Sequence, residues 1–285
     1  MKRLTSTPAT ERPGSAVMVA CARDPNDLGR PGTVAKATTD TLIFAWRALL
    51  KIKHTPEQAF DVIATPILFT VMFTYMFGGA VLGSTDAYLQ YLLPGILVQT
   101  VMFTSVYTGM TMNQDIAKGV YDRYRSLPIW RPAPIAGAIL GDFVRYTASA
   151  VLVFAVGMAM GYRSEAGLLG VLAALVLLDG FAFGLGWIFT ALALAVRTVG
   201  TVMTLSWLFL MPVTFVSNIY VDPVTMPSWL QPFVAANPVT LITTALRGVL
   251  GGQPVASDIG LALSVPFVVT GLCAPVTLWL YGRSR

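Results

Sequence analysis

Three ionisable side chains fall inside otherwise apolar stretches of this 285-residue sequence: Asp142 and Arg145, three residues apart, and Asp179. A charge in hydrocarbon is costly, so each marks a position where something must compensate it. On a helix, Asp142 and Arg145 share a face at i, i+3 and can neutralise one another, a structural pairing that needs no further role. Asp179 has no basic neighbour in sequence; it can be protonated, face a water-filled cavity or bind a cationic group on a ligand. Two more demanding chemistries are open to the same residues. A proton-coupled secondary carrier would relay protons through Asp142, Arg145 and Asp179. An intramembrane aspartyl protease would pair Asp142 with Asp179, but such enzymes need Gly-x-Gly-Asp, and residues 139–142 read Ile-Leu-Gly-Asp. The single histidine, His54, removes most imidazole catalysis. Two cysteines, Cys21 and Cys273, supply neither a disulfide framework nor a multi-cysteine metal site. No catalytic or metal-ligating set is therefore expected.

The elements that position these residues follow from composition. With 55% apolar and only 12% charged residues and a mean hydropathy of +0.68, the chain cannot cover itself with a soluble surface. A crossing helix needs about 20 mostly apolar residues. The expected fold is an all-α integral membrane protein with six spans, near Val62–Val81, Leu89–Met112, Ala138–Gly161, Leu168–Val196, Val199–Val216 and Ile259–Gly282. Asp142 and Arg145 fall in the third and Asp179 in the fourth. Pairs of small residues at x-x-x spacing, Gly137 with Gly141, Gly157 with Gly161 and Gly180 with Gly184, suit close helix packing.

Basic residues orient the spans, since short cytoplasmic loops retain Lys and Arg. Of the 19, nine precede the first span, and the second-to-third loop adds Lys118, Arg123, Arg125 and Arg131. Arg197, Arg283 and Arg285 fall on that same side, whereas only Arg163 and Arg247 fall on the other. Both termini are expected in the cytoplasm of a multi-pass plasma-membrane protein. The basic balance reflects this bias and argues for no nucleic-acid partner.

Residues 1–37 are polar and punctuated by Pro and Gly, with no apolar core behind their basic start, and read as a disordered cytoplasmic leader, not a signal peptide. The domain proper is expected over 38–285. It opens with an interfacial helix over 38–55, where Leu42, Trp46, Leu49 and Leu50 form one stripe and Arg47, Lys51 and Lys53 the other side, ended by Thr55-Pro56.

The loop 113–134 is more charged than the membrane requires. Ile116, Val120, Tyr124 and Leu127 recur at helical spacing, with Lys118, Asp122, Arg123 and Arg125 on the remaining faces, and Pro128 stops the pattern. The pattern suits a short helix docking into a groove on a soluble partner. It equally suits a solvated loop whose basic residues only enforce topology.

These residues carry a resemblance. DIAKGVYDRYRSLP (Asp115–Pro128), then Arg131 and the Gly141-Asp142 pair, resembles the signature of ATP-binding-cassette type-2 exporter permeases. The stretch LKIKHTPEQAFDVIATPILFTVMFTYMFGGA from Leu50, YLLPGILVQT from Tyr91 and SNIYVDPVTMPSWLQPF from Ser217 are similar to the actinobacterial daunorubicin/doxorubicin-resistance (DrrB-like) permeases in particular. The likeness runs from about Thr38 to the last residue.

The resemblance implies a permease subunit that exports hydrophobic drugs or polyketide- and lipid-like molecules, conferring anthracycline-type resistance. It also implies a second permease copy, as a homodimer, and a cytoplasmic DrrA-like ATPase holding ATP and Mg. The sequence itself has no Gly-x-x-x-x-Gly-Lys-Ser/Thr run, since none of its five lysines follows a glycine. By resemblance, Asp115, Ile116, Lys118, Gly119, Val120, Asp122, Arg123, Tyr124, Arg125, Ser126, Leu127 and Pro128 form the ATPase-coupling element, which favours docking, and 38–55 is the elbow helix. Spans two and five of the family face the central path. Carried over, that suggests Gln99, Phe103 and Tyr107 with Trp207, Met211 and Phe215 as cargo contacts. Prolines 223, 227, 232 and 238 recur too often for a crossing helix. Segment 217–252 is therefore expected to hold two short helices, near Ser228–Ala236 and Val239–Leu250, lying on the outer surface or, as the resemblance implies, re-entrant.

Overall fold

A glycine and a capping serine decide where the first long helix ends and the second begins. A computed structural model describes residues 38, 39, 41–46, 56–125 and 133–283; the side chains of 56–63, 122, 124, 125, 282 and 283 are outside that description. The leader, residues 47–55 of the elbow stretch, and Ser126, Leu127, Pro128 and Arg131 also lie outside the described residues. Helix α1 (Pro56–Leu82) ends at Gly83, whose φ of +74° is a left-handed conformation that a Cβ disfavours. Ser84 then caps α2 (Thr85–Ala117), its Oγ accepting the Ala87 N–H at 3.1 Å. So short a turn folds α2 back along α1, and the two pack together.

Helix α2 has 33 residues, about 50 Å of helix against a hydrocarbon core of about 30 Å. It therefore outruns the Met112 boundary that hydropathy suggests and carries Asn113, Gln114 and Asp115 beyond the apolar zone. Gly119, at φ +67°, turns the chain, and α3 (Val120–Arg125) follows as a separate six-residue helix. The stripe expected on one helix from Ile116 onward is thus divided: Ile116 belongs to the end of α2 and Val120 opens α3.

The remaining elements are α4 (Ala133–Ala159), α5 (Gly167–Ala195), α6 (Val199–Phe215), a 3-10 turn (Pro223–Thr225), α7 (Gln231–Ala236), α8 (Pro238–Leu250) and α9 (Ala256–Arg283). No strand occurs among the described residues. Helices α1, α2, α4, α5 and α9 are long and apolar enough to cross a membrane, while α6 and α8 are shorter apolar helices. At 17 residues, α6 reaches about 26 Å, just under the hydrocarbon thickness.

Of the long helices α2 is the most buried. It packs against α1, α4, α5 and α6, while α9 lies along α5 and α8 wedges against α2, α5 and α9. Backbone proximity depends on glycines: a Cβ on Gly109 of α2 would stand 2.7 Å from the Phe189 carbonyl oxygen of α5, and one on Gly95 would stand 3.0 Å from Ile219 Cα. Gly137 meets the 41–45 backbone, Gly157 meets Leu93 and Gly184 meets Pro266, whereas Gly161 and Gly180 face open space. Each small-residue pair thus contributes one such contact. Residues 41–46 are helical, with Thr41 and Ala45 buried toward α4 and Leu42 and Trp46 turned outward.

Candidate functional site

Functional side chains gather at four levels along α2. At the α3 end, Asn113 donates from Nδ2 to the carbonyls of Ala193 and Val196, both at 2.9 Å. It satisfies acceptors that the end of α5 leaves open. Tyr121 of α3 is buried edge-on against Tyr281 of α9, ring centroids 5.8 Å apart. The short helix is therefore fastened to the end of α9, while Lys118 and Arg123 are exposed beside it. Asp115 and Ile116 are half-buried.

Midway along the bundle, Asp142 and Arg145 form an ion pair. Thr108 of α2 donates to the second Asp142 oxygen at 2.5 Å, and its own oxygen lies 2.6 Å from the Tyr146 hydroxyl. Because the Thr108 proton is committed to the carboxylate, Tyr146 is the donor in that second bond. A cluster with Thr108, Asp142 and Tyr146 buried and Arg145 at its edge thus ties α2 to α4. Asp179 belongs to a neighbouring contact: Thr147 donates to its Oδ2 at 2.7 Å. Its buried Oδ1 has no partner among the described residues.

A cavity of about 160 Å³ opens between α1, α2 and α6, lined by Thr65 and Pro66, by Phe103 and Tyr107 with their neighbours on α2, and by Met203 and Trp207. Phe103 and Trp207 touch across it at a centroid distance of 4.8 Å. Of the six cargo-contact candidates, this brings together Phe103, Tyr107 and Trp207. Gln99 is buried farther along α2, accepting from the Tyr220 hydroxyl at 2.7 Å. Phe215 stacks on the same Tyr220, and Met211 is half-buried outside the lining. The volume is below the roughly 300–1,000 Å³ of drug-sized pockets, so a cargo requires the helices to part or a second subunit to enlarge the space.

At the end opposite α3, Arg247 of α8 donates from Nε to the Tyr91 carbonyl at 3.0 Å and from Nη2 to the Asn218 and Ile219 carbonyls at 2.8 and 3.3 Å. Its guanidinium lies 3.7 Å over the Tyr91 ring. Tyr91 and Tyr88 donate to the carbonyls of Asn218 and Tyr220, and Gly95 lets this loop cross α2 without a side chain between. Asn237 accepts the Val239 N–H at the start of α8 and donates to the Val213 and Val216 carbonyls at the end of α6. Burial pushes the nearby Tyr162 phenol up to about 12, with the Arg247 charge pulling the other way, so it stays protonated at physiological pH. Arg247, read from sequence as a mere outside charge, is a clamp whose partners are backbone carbonyls, and those leave no mark in a sequence.

Substituting Arg247→Met leaves those carbonyls without a charged donor, a loss of about 3 kcal/mol that is expected to lower the thermal midpoint in detergent by roughly 5–10 °C. Arg247→Lys is expected to recover little, because a compact ammonium cannot reach three acceptors in a planar fork. Equal melting of the Lys variant and the unaltered chain would contradict the clamp.

Helix α2 is thus held at both ends and around a buried polar cluster. Residues 39–250 match the ABC-2 type transporter family. The chain belongs to that family. The permease is 43% identical over 247 residues to the daunorubicin resistance ABC transporter permease protein DrrB1 of Streptomyces coeruleorubidus, covering 87% of each chain. It is 25% identical over 218 residues to a probable doxorubicin resistance ABC transporter permease protein, DrrC, of Mycobacterium tuberculosis, covering 76% of this chain and 79% of that one. A second permease of that organism, the doxorubicin resistance protein DrrB, is 23% identical over 232 residues. These relatives are permease components of ABC transporters. Family membership leaves the proton-relay and protease readings of Asp142 and Asp179 without support.

Proposed function

We propose that this permease is the membrane half of an ATP-driven exporter that moves flat, hydrophobic, anthracycline-like drugs out of the cell. The observation that carries the cargo class is the 43% identity, over 87% of both chains, to a daunorubicin resistance permease. In this reading α1, α2, α4, α5, α6 and α9 are six spans with both termini cytoplasmic, as the basic residues favour. Residues 38–55 are the elbow and 113–134 the coupling loop. ATP and Mg are bound and hydrolysed on a separate DrrA-like ATPase, and a second permease copy completes the path as a homodimer.

Mechanically, ATPase closure moves α3, and Asn113 and Tyr121 pass that motion to α5 and α9. The cavity between α1, α2 and α6 receives the drug from the inner side, and 217–252 covers the outer end. Export needs the drug to bind the inward-facing arrangement better than the outward-facing one.

The test is reconstitution in liposomes with and without a DrrA-like ATPase. Uphill daunorubicin transport is expected only with both proteins and ATP. Transport by the permease alone, driven by a proton gradient, would refute the reading.

A further inference from the structure

Aromatic contacts among the described residues differ in geometry. Some are steep: Tyr121 with Tyr281 at 79°, Phe183 with Trp187 at 87°, Phe154 with Tyr162 at 71°. Others are tilted, Phe143 against Phe183 and Tyr146, and Phe103 against Trp207, at 36–55°. The contacts along α1, from α1 to the loop after α6, and from that loop to the end of α6 are close to parallel. Phe69 and Phe73 stack at 5.7 Å and 13°, and Phe73 and Phe77 at 5.2 Å and 28°. Phe73 then meets Tyr220 at 4.6 Å and 25°, and Tyr220 meets Phe215 at 5.4 Å and 26°.

The difference matters for what each arrangement can accept. Two parallel rings that part by one ring thickness admit a flat fused-ring molecule and exchange one ring–ring contact for two ring–ligand contacts. An edge-on pair offers no such slot, because one ring blocks the plane. The ladder also sits where a cargo leaving the cavity arrives. Phe69 lies one turn beyond the cavity residues Thr65 and Pro66 on α1, and Gln99, one turn beyond Phe103 on α2, holds the Tyr220 hydroxyl at 2.7 Å. That hydrogen bond anchors the tip of the Tyr220 side chain. Phe215 is exposed and Phe69 half-buried, so the stack opens outward at its Phe215 end, and Phe77, exposed too, borders Phe73.

We propose that Phe69, Phe73, Tyr220 and Phe215 form a second cargo site, beyond the cavity, which takes planar polycyclic aromatic molecules by intercalation between stacked rings. Tyr220 is its anchored rung and Phe73 its central one. The inference rests on the exporter reading and extends the path along α1 beyond the cavity. It makes planarity, in addition to apolarity, a selected property of the cargo. A non-planar lipophilic cation gains nothing at this site.

The experiment titrates the purified permease in nanodiscs with daunorubicin, followed by its own fluorescence anisotropy, and with tetraphenylphosphonium, a non-planar cation, by calorimetry. Phe73→Leu keeps apolar bulk and removes the plane; Phe73→Tyr keeps the plane; Phe215→Leu tests the exposed rung. The expected result is about tenfold weaker daunorubicin binding in Phe73→Leu, a loss of about 1.4 kcal/mol, and a smaller loss in Phe215→Leu. Phe73→Tyr should bind as the unaltered chain does, and tetraphenylphosphonium affinity and the thermal midpoint should not change across the series. If the unaltered permease binds daunorubicin and both Leu variants bind it equally well, the ladder is overturned and the exporter reading stands. If the unaltered permease binds no daunorubicin, the drug-exporter reading and the ladder fall together. A Phe73→Leu loss that extends equally to tetraphenylphosphonium would mark general disruption and overturn the site.

Discussion

Reversing charge at Lys118 and Arg123 together (Lys118→Glu, Arg123→Glu) is expected to cut ATP-driven export at least about a hundredfold while the permease still inserts and melts normally. Lys118, just before α3, and Arg123, on it, are both exposed; exposed substitutions are usually worth under about 0.5 kcal/mol, and the thermal midpoint reads any contact that Arg123 makes within the chain. The cost falls on docking. Charges that face a complementary partner surface contribute several kcal/mol between them when reversed, because attraction becomes repulsion in a partly dried interface. The fastening of Tyr121 against Tyr281 makes the two effects separable, since α3 stays anchored to α9 whatever the outer charges are. Export, drug-stimulated ATPase activity and co-purification of the ATPase should all collapse, with membrane abundance unchanged. Undiminished export in the double variant would remove α3 as the coupling element.

Substitution of Asp142 by alanine is expected to be the most damaging single change for stability. It strands Arg145 as an uncompensated buried charge and removes the acceptor of the Thr108 hydroxyl. Breaking one side of such a pair costs about 3–5 kcal/mol, whereas replacing both partners by apolar residues of similar volume is often near neutral. The double variant Asp142→Leu/Arg145→Met should therefore recover much of the thermal midpoint lost in Asp142→Ala. Recovery of export along with stability would assign the pair a structural role. Recovery of stability without export would mean that the cluster joining α2 to α4 takes part in the transport cycle. Additive losses from the two single substitutions, with no recovery in the double, would show that the residues act independently and that the pairing contributes nothing.

The apolar helices were legible because hydrocarbon imposes a length and a composition that a sequence cannot disguise. What hydropathy could not register is what happens past the hydrocarbon. It ended the second span at Met112, yet helical hydrogen bonding continues through Asn113, Gln114 and Asp115, which are polar but helix-competent. A helical stripe was visible from Ile116 onward, but periodicity is blind to one left-handed residue, and Gly119 divides it. Asp142 and Arg145 announced each other by spacing. Thr108 and Tyr146 did not, since their partnership exists only after α2 and α4 have packed. Arg247 looks in sequence like a charge that only sets topology, because its hydrogen-bond partners are the backbone carbonyls of Tyr91, Asn218 and Ile219. The six residues proposed for the path separated by depth, because equal spacing on two helices says nothing about where a third helix approaches. Phe103, Tyr107 and Trp207 face the cavity that α1 closes, while Gln99 and Phe215 are taken up by Tyr220.

Asn237 has a mechanical implication for the outward step. A single carboxamide terminates α6 and starts α8, so the junction behaves as one pivot with no slack between its two arms. In the proposed export cycle, an α6 that swings away from α2 to release cargo is expected to take α8 with it, lifting segment 217–252 off its seat in the same movement. Release and uncovering are then geared one to one, and a leak through a half-lifted roof would require that amide to let go.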